Sequence, residues 1–242
     1  MKPTAKPSVK TMVTNVLIVA ILTSVMLVAV YATDTTTPAV NTASAIYSGS
    51  GESGRVAFMF NVYENAETAL NIAKLLNEHG FSATFFVGGK WVERNPNTLL
   101  ALYNMGMEIG NHGYLHRDHK AIDYNKNVDE ITLTERLVDA HLKAFPNYVN
   151  SKLFAPPSGS IGDNMFKACD DLGYKVIMWT RDTIDWRDHD ADIIYERAIK
   201  DIQAGDLVLM HPTDATLSAL PRILEYIKSV GLKADTVSNV IE

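Results

Sequence analysis

Between Val56 and Val237 the chain alternates about seven times between a short apolar run and a longer stretch with helical spacing. That alternation constrains the fold more than any other feature. Val56-Ala57-Phe58-Met59-Phe60 is too short for a helix and continuously apolar, as expected of a strand covered on both faces. Ala66–Glu78 follows with Ala69, Ile72, Ala73 and Leu76 on one stripe, and His79-Gly80 ends it. Strands are expected at 83–87, 107–110, 152–154, 175–179 and 207–210, with a weaker one at 233–237. Helices are expected between them at 96–105, 128–145, 163–172, 192–204 and 219–229. Parallel strands need long crossovers, so this order predicts a parallel sheet with helices outside it. A distorted or incomplete (β/α) barrel suits the order better than an open sheet. No Gly-rich phosphate loop follows the first strand, which sets a nucleotide fold aside.

In such a barrel, chemistry collects at the C-terminal ends of the strands. Those ends carry Asn61 with Glu64, then His112 and His116, then Pro156-Pro157-Ser158-Gly159, then Asp182 with Asp185-Trp186, and finally His211. Strand interiors are apolar, and their ends carry His, Asp, Asn and Glu. His112 and His116 are spaced i and i+4. If the chain is helical there, both imidazoles lie on one face, about 5–6 Å apart at Cβ, close enough to share a metal ion. Two partly exposed loop histidines are the plainer reading of the same spacing.

The N-terminus is a different material. Lys2, Lys6 and Lys10 precede a run from Thr11 to Thr33 that contains no charge. Residues 1–32 are read as a membrane anchor with its N-terminus in the cytoplasm, or as a signal peptide cleaved after Ala32. Either reading exports the remainder, which places the protein outside the cytoplasm. Residues 33–53, rich in Thr, Ala, Ser and Gly, are expected to be a flexible linker, and residues 54–242 the folded domain. Without the three lysines, the balance moves from 22 basic and 28 acidic residues to 19 and 28. That excess of acid argues against nucleic acid as a partner. The one cysteine, Cys169, excludes an intrachain disulfide framework and is read as a core residue.

At the strand ends, residues 55–242 resemble the polysaccharide deacetylases of the NodB-homology type, carbohydrate esterase family 4. The family's histidine motif is similar to Asn111-His112-Gly113-Tyr114-Leu115-His116. Its Asp-x-x-Asp-Trp motif resembles Asp182-Thr183-Ile184-Asp185-Trp186, and its last motif resembles Leu209-Met210-His211. The resemblance implies a deformed (β/α)7 barrel. It also implies removal of N-acetyl groups from a chitin-like or peptidoglycan glycan with a divalent metal, zinc in the first instance, on His112 and His116.

Two motifs depart from the family. Where it has Thr-Phe-Asp-Asp-Gly, this chain has Met59-Phe60-Asn61-Val62-Tyr63, so Asn61 stands at the position of the general base and Val62 at that of the carboxylate ligand. Where it has an arginine before Pro-Pro, this chain has Ala155. The losses are mutually consistent, since an arginine beside a neutral amide has no charge to pair.

Amide hydrolysis needs an activated water, a polarised carbonyl and an acid for the leaving amine. His211, oriented by Asp185, could be the acid. Asn61 cannot take a proton at neutral pH but can position water. Glu64 could act as third metal ligand or as base, or could favour the following helix N-terminus electrostatically. Tyr63, Tyr114 and Trp186 are candidate sugar-stacking residues, and Pro157 a groove wall. His119 is expected to be solvated. Two functions remain open: a metal-dependent N-deacetylase of cell-envelope glycan, and a glycan-binding module of the same fold without turnover.

Overall fold

The computed structural model describes residues 8–33 and 44–242. A helix, α1 (Val9–Thr33), occupies the N-terminal apolar run, and residues 42–242 form a separate compact unit. Among the described residues no helix is long and apolar enough to cross a membrane. The expected linker falls partly on residues 34–43, outside the described residues.

The compact unit runs β1 (Arg55–Val62), α2 (Ala66–Glu78), β2 (Thr84–Val87), α3 (Gly89–Arg94), α4 (Pro96–Asn104), β3 (Glu108–Asn111) and α5 (Tyr124–Leu142). It continues with β4 (Leu153–Phe154), a 3-10 turn (Pro157–Gly159), α6 (Asp163–Asp171), β5 (Lys175–Val176), β6 (Arg181–Asp182) and α7 (Asp185–Asp188). The last elements are α8 (Ala191–Ile199), β7 (Leu207–Met210), α9 (Asp214–Ser229), β8 (Lys233–Asp235) and α10 (Val237–Ile241). The strands form one sheet in the order β5-β4-β3-β2-β1-β7-β6, with β8 also paired to β1. All these pairings are parallel. This is the expected α/β architecture, a barrel deformed by remaining open between β5 and β6.

β1 is the axis of the unit, with three partner strands. Its alternate residues face opposite sides, as the two-residue period of a strand requires. Phe58, Phe60 and Val62 enter the large core shared with the helices, with Ile72, Leu76, Phe85, Leu99 and Ile223. Ala57 and Met59 face a second, inner cluster with Phe86, Leu207 and Leu209. Asn61 continues that inner side and reaches the open end of the barrel.

Several boundaries moved for identifiable reasons. α5 begins at Tyr124, before its first apolar stripe residue, because the Asp123 side chain accepts from the Lys126 N–H at 2.9 Å and caps it. α9 begins at Asp214 because Thr213 caps it by accepting from the Thr216 N–H at 3.0 Å. α3 had no helical periodicity to announce it. Cys169 is fully buried, as read, and burial pushes its thiol up to about 12.

The linker expectation is corrected at its C-terminal end. Ile46 bridges in parallel to Ile177, with its N–H donating to the Val176 carbonyl and its own carbonyl accepting from Met178, both at 2.8 Å. The Gly49 N–H then donates to the Gly205 carbonyl at 2.8 Å, and the Ser50 N–H to that of Val240 at 3.1 Å. The segment therefore hydrogen-bonds to the β5 edge of the sheet, to the turn before β7 and to α10, and the folded unit begins before residue 54. Deleting residues 1–53 should lower the thermal midpoint by roughly 5–10 °C relative to deleting residues 1–41, since several backbone hydrogen bonds worth about 1 kcal/mol each are lost. Equal midpoints by circular dichroism would show that the segment adds nothing.

Candidate functional site

The polar strand ends converge on one cleft with two lobes. The first, of about 500 Å³, is lined by Asn61, His112, His116, Ser158, Gly159, Trp179, Asp182, Trp186, Leu209 and His211. The second, of about 530 Å³, shares Asn61, His112, His116, Trp186 and His211, and adds Tyr63, Glu64, Leu115 and His189 among others. Ends of β1, β3, β6 and β7 thus meet where the sequence placed them.

Asp185 and His211 form the most ordered part. Asp185 is fully buried at the first turn of α7. One of its carboxylate oxygens accepts from His211 Nδ1 at 2.8 Å. The other accepts from the His211 backbone N–H and from Thr216 Oγ1, both at 2.6 Å. This arrangement protonates Nδ1 and leaves Nε2 as the His211 nitrogen available to the cleft. Thr216 was missed by sequence reasoning. Its only signal was its position just inside a helix that follows His211.

The histidine pair is brought together by a loop, which corrects the helical expectation. No helix forms over 112–116, and His116 has φ of 55°. The ring centroids nonetheless lie 5.2 Å apart. His112 is buried, and its Nδ1 bonds to the Ala155 carbonyl at 2.7 Å, so Nδ1 carries the proton and Nε2 a lone pair. Burial and the neighbouring His116 hold the His112 imidazole well below its ordinary 6.5. His116, on the exposed rim, is also lowered, chiefly by partial desolvation.

Glu130 of α5, another residue missed in the sequence, fastens this loop. One of its buried carboxylate oxygens accepts from the Tyr114 and Leu115 N–H groups at 2.8 and 2.7 Å. The other pairs with Arg117 Nε at 3.1 Å. Asn111 adds a bond from the Gly113 N–H at 2.9 Å. Gly113 has φ of 71°, and a Cβ there would come within 2.9 Å of His119 Nε2. His119 is not solvated as expected. It is fully buried, bonds through Nδ1 to Asn127 Oδ1 at 2.7 Å, and packs against Phe154.

Other expected residues divide. Trp186 is 56% exposed and lines both lobes. Tyr63 lines the second lobe, packs edge-on to His116 at 5.2 Å, and lies flat against Gly88, where a Cβ would meet its ring at 2.3 Å. Tyr114 is corrected: its ring turns away from the cleft over Gly89, and its hydroxyl donates to Glu93 at 2.7 Å. Pro157 is buried behind the wall, and Ser158 and Gly159 form the surface instead. Trp179, unassigned in the sequence, lines the first lobe and packs against Gly159.

The first-motif departure has a structural counterpart. Asn61 is 5% exposed, and its Oδ1 is buried with no hydrogen-bond partner. Val62 is fully buried among the helix-facing apolar side chains, on the opposite side of β1 from the cleft. Glu64 is exposed on the outer lobe. Among the described residues no group of three His, Cys, Asp or Glu is placed to hold a metal ion, so Glu64 does not complete the His112–His116 pair. Two imidazoles fall short of the usual three protein ligands of a catalytic zinc. The residues present do not fit a resident divalent metal.

The unit is an α/β barrel with its polar residues on one open rim, an acid–histidine pair and an aromatic wall. The chain belongs to the polysaccharide deacetylases, whose family model matches residues 48–177. It is 32% identical over 177 residues to a peptidoglycan-N-acetylglucosamine deacetylase of Bacillus cereus, covering 70% of this chain and 80% of that protein. It is also 32% identical over 197 residues to the uncharacterised protein YlxY of Bacillus subtilis, covering 81% of this chain and 60% of YlxY. Among solved structures, a CE4-family pseudoenzyme from Bacillus anthracis superposes with a TM-score of 0.78 at 32% identity, covering 83% of this chain and 69% of that one. A mutant of that pseudoenzyme with restored enzymatic activity superposes equally, at 31% identity and covering 83% and 72%.

Val62 faces the apolar core, so an aspartate in its place would lie among apolar side chains. Val62→Asp should destabilise the fold by about 3–5 kcal/mol, the cost typical of an unpaired buried charge. Urea unfolding beside a Val62→Ala control measures it. A loss no larger than that of the control would place residue 62 outside the core.

Proposed function

We propose that this protein is an extracytoplasmic glycan-binding member of the polysaccharide deacetylases, holding cell-envelope aminosugar polymer in the two-lobed cleft with its hydrolytic step impaired. The observation that carries the reading is Asn61. Hydrolysis of an N-acetyl amide needs a base for the attacking water, and this amide has no basic lone pair at neutral pH. The side chains present can still bind a sugar. Trp186 and Tyr63 offer ring faces, Asn61 and Ser158 hydrogen bonds, and Trp179 closes the first lobe. The likeness to a pseudoenzyme supports the same reading.

A second reading keeps N-deacetylation, hydrolysis of a non-peptide carbon–nitrogen bond, as a residual activity. Its support is the intact Asp185–His211–Thr216 network and the deacetylase relatives. In that reading His211 Nε2 delivers a proton to the departing amine, and Asp185 stabilises the imidazolium that precedes the transfer. Zinc would be the group that His112 and His116 attract, through their lone pairs. The third ligand is the missing element, so no step is assigned to it.

Location is proposed on sequence alone. Lys2, Lys6 and Lys10 before a charge-free run support export, with the N-terminal segment either retained in the membrane or removed.

Asn61→Asp in the full-length protein tests the impairment. Wild type should release little or no acetate from N-acetylated peptidoglycan or chitin oligomers. The variant, alone or with Ala155→Arg to hold the new carboxylate, should release it about 10²–10⁴-fold faster. Brisk release by the wild type, abolished by Glu64→Gln, would instead establish the hydrolase with Glu64 as its base.

A further inference from the structure

We infer that the cleft selects the free amino sugar, so that this protein binds glycan whose N-acetyl groups have already been removed. The inference rests on the glycan-binding reading above and names its ligand. Asp182 and Glu64 are the ordinarily charged side chains lining the two lobes, and both are carboxylates. Among the described residues, no lysine or arginine lines either lobe. Two imidazole nitrogens at the junction are acceptors. His112 Nε2 holds a lone pair because its Nδ1–H is committed to the Ala155 carbonyl at 2.7 Å. His211 Nε2 holds one while that ring is neutral, because its Nδ1–H is committed to Asp185 at 2.8 Å. Asn61 lines both lobes, with its Oδ1 buried and without a hydrogen-bond partner.

An acetamido group meets neutral donors on this surface, Ser158 and the Asn61 amide. Its carbonyl oxygen needs a strong donor or a cation, and the pair of imidazoles does not hold a divalent ion. An ammonium group matches this surface better: three N–H donors and a positive charge meet lone pairs, one carboxylate and aromatic surface. Asp182 supplies the carboxylate. Its Oδ1 accepts from the Ile184 N–H at 2.8 Å, which fixes the side chain on the wall of the first lobe. Trp179 and Trp186 line the same lobe and bring aromatic surface to the sugar. In sequence of reactions, the ligand is then the product of an N-deacetylation carried out elsewhere.

The test is calorimetric titration of the full-length protein, with chelator present and at neutral pH, using a glucosamine tetramer and an N-acetylglucosamine tetramer. The amine form should bind about tenfold or more tightly. Asp182→Asn should remove that preference, Trp186→Ala should weaken both ligands, and the remote surface variant Glu225→Gln should change neither. Equal or tighter binding of the acetylated tetramer overturns the inference and leaves glycan binding standing. A preference that Asp182→Asn leaves intact, or that Glu225→Gln lowers as much, also overturns it, as general attraction to an acidic protein. Binding of neither tetramer removes both the inference and the reading beneath it.

Discussion

The cleft depends on the buried carboxylate of Asp185. A charge with no solvent exposure is costly unless every lone pair is engaged, and here three donors from two elements engage it. The His211 backbone, the His211 ring and Thr216 fix the end of β7, the orientation of the imidazole and the start of α9 together. A network of this kind fixes one tautomer, and a fixed tautomer decides what the cleft can offer a ligand. The chain keeps this arrangement where the base of an amide hydrolase is absent.

Much of this was legible in the sequence. β1, α2 and β7 are marked by continuous apolar runs or a clean helical stripe, and the polar residues at strand ends did converge. The less visible parts obey rules that composition does not carry. Residues 44–50 look like linker because backbone hydrogen bonding to the sheet is independent of side-chain type. Glu130 and Asn127 lie on α5, distant in sequence from the loop that they hold. The histidines share a face through a turn with φ of 55° at His116, not through helical spacing. Val62 is different, because its orientation could have been read: neighbours on a strand face opposite sides, so Asn61 in the cleft puts Val62 in the core.

The departures from the family form a coherent set. Asn61 in place of a carboxylate leaves no charge for an arginine, and Ala155 provides none. The backbone carbonyl of residue 155, which any side chain there would leave in place, holds the His112 tautomer. Among the described residues no third ligand joins the two imidazoles, which falls short of the usual site for a cation that would polarise an acetyl group. The remaining surface is neutral or acidic, aromatic and rich in acceptors, which suits retention of a sugar better than attack on one. Glu130 holds the loop shape that both functions need, so the form of the cleft does not by itself require turnover.

The central claim is that this cleft works without a resident divalent ion. It is tested most directly by dialysing the full-length protein against zinc, removing free metal, and measuring bound zinc by mass spectrometry beside a His112→Ala variant. The account predicts substoichiometric zinc, unchanged in the variant. One zinc per chain, lost on His112→Ala, would contradict it and restore the metal-dependent hydrolase.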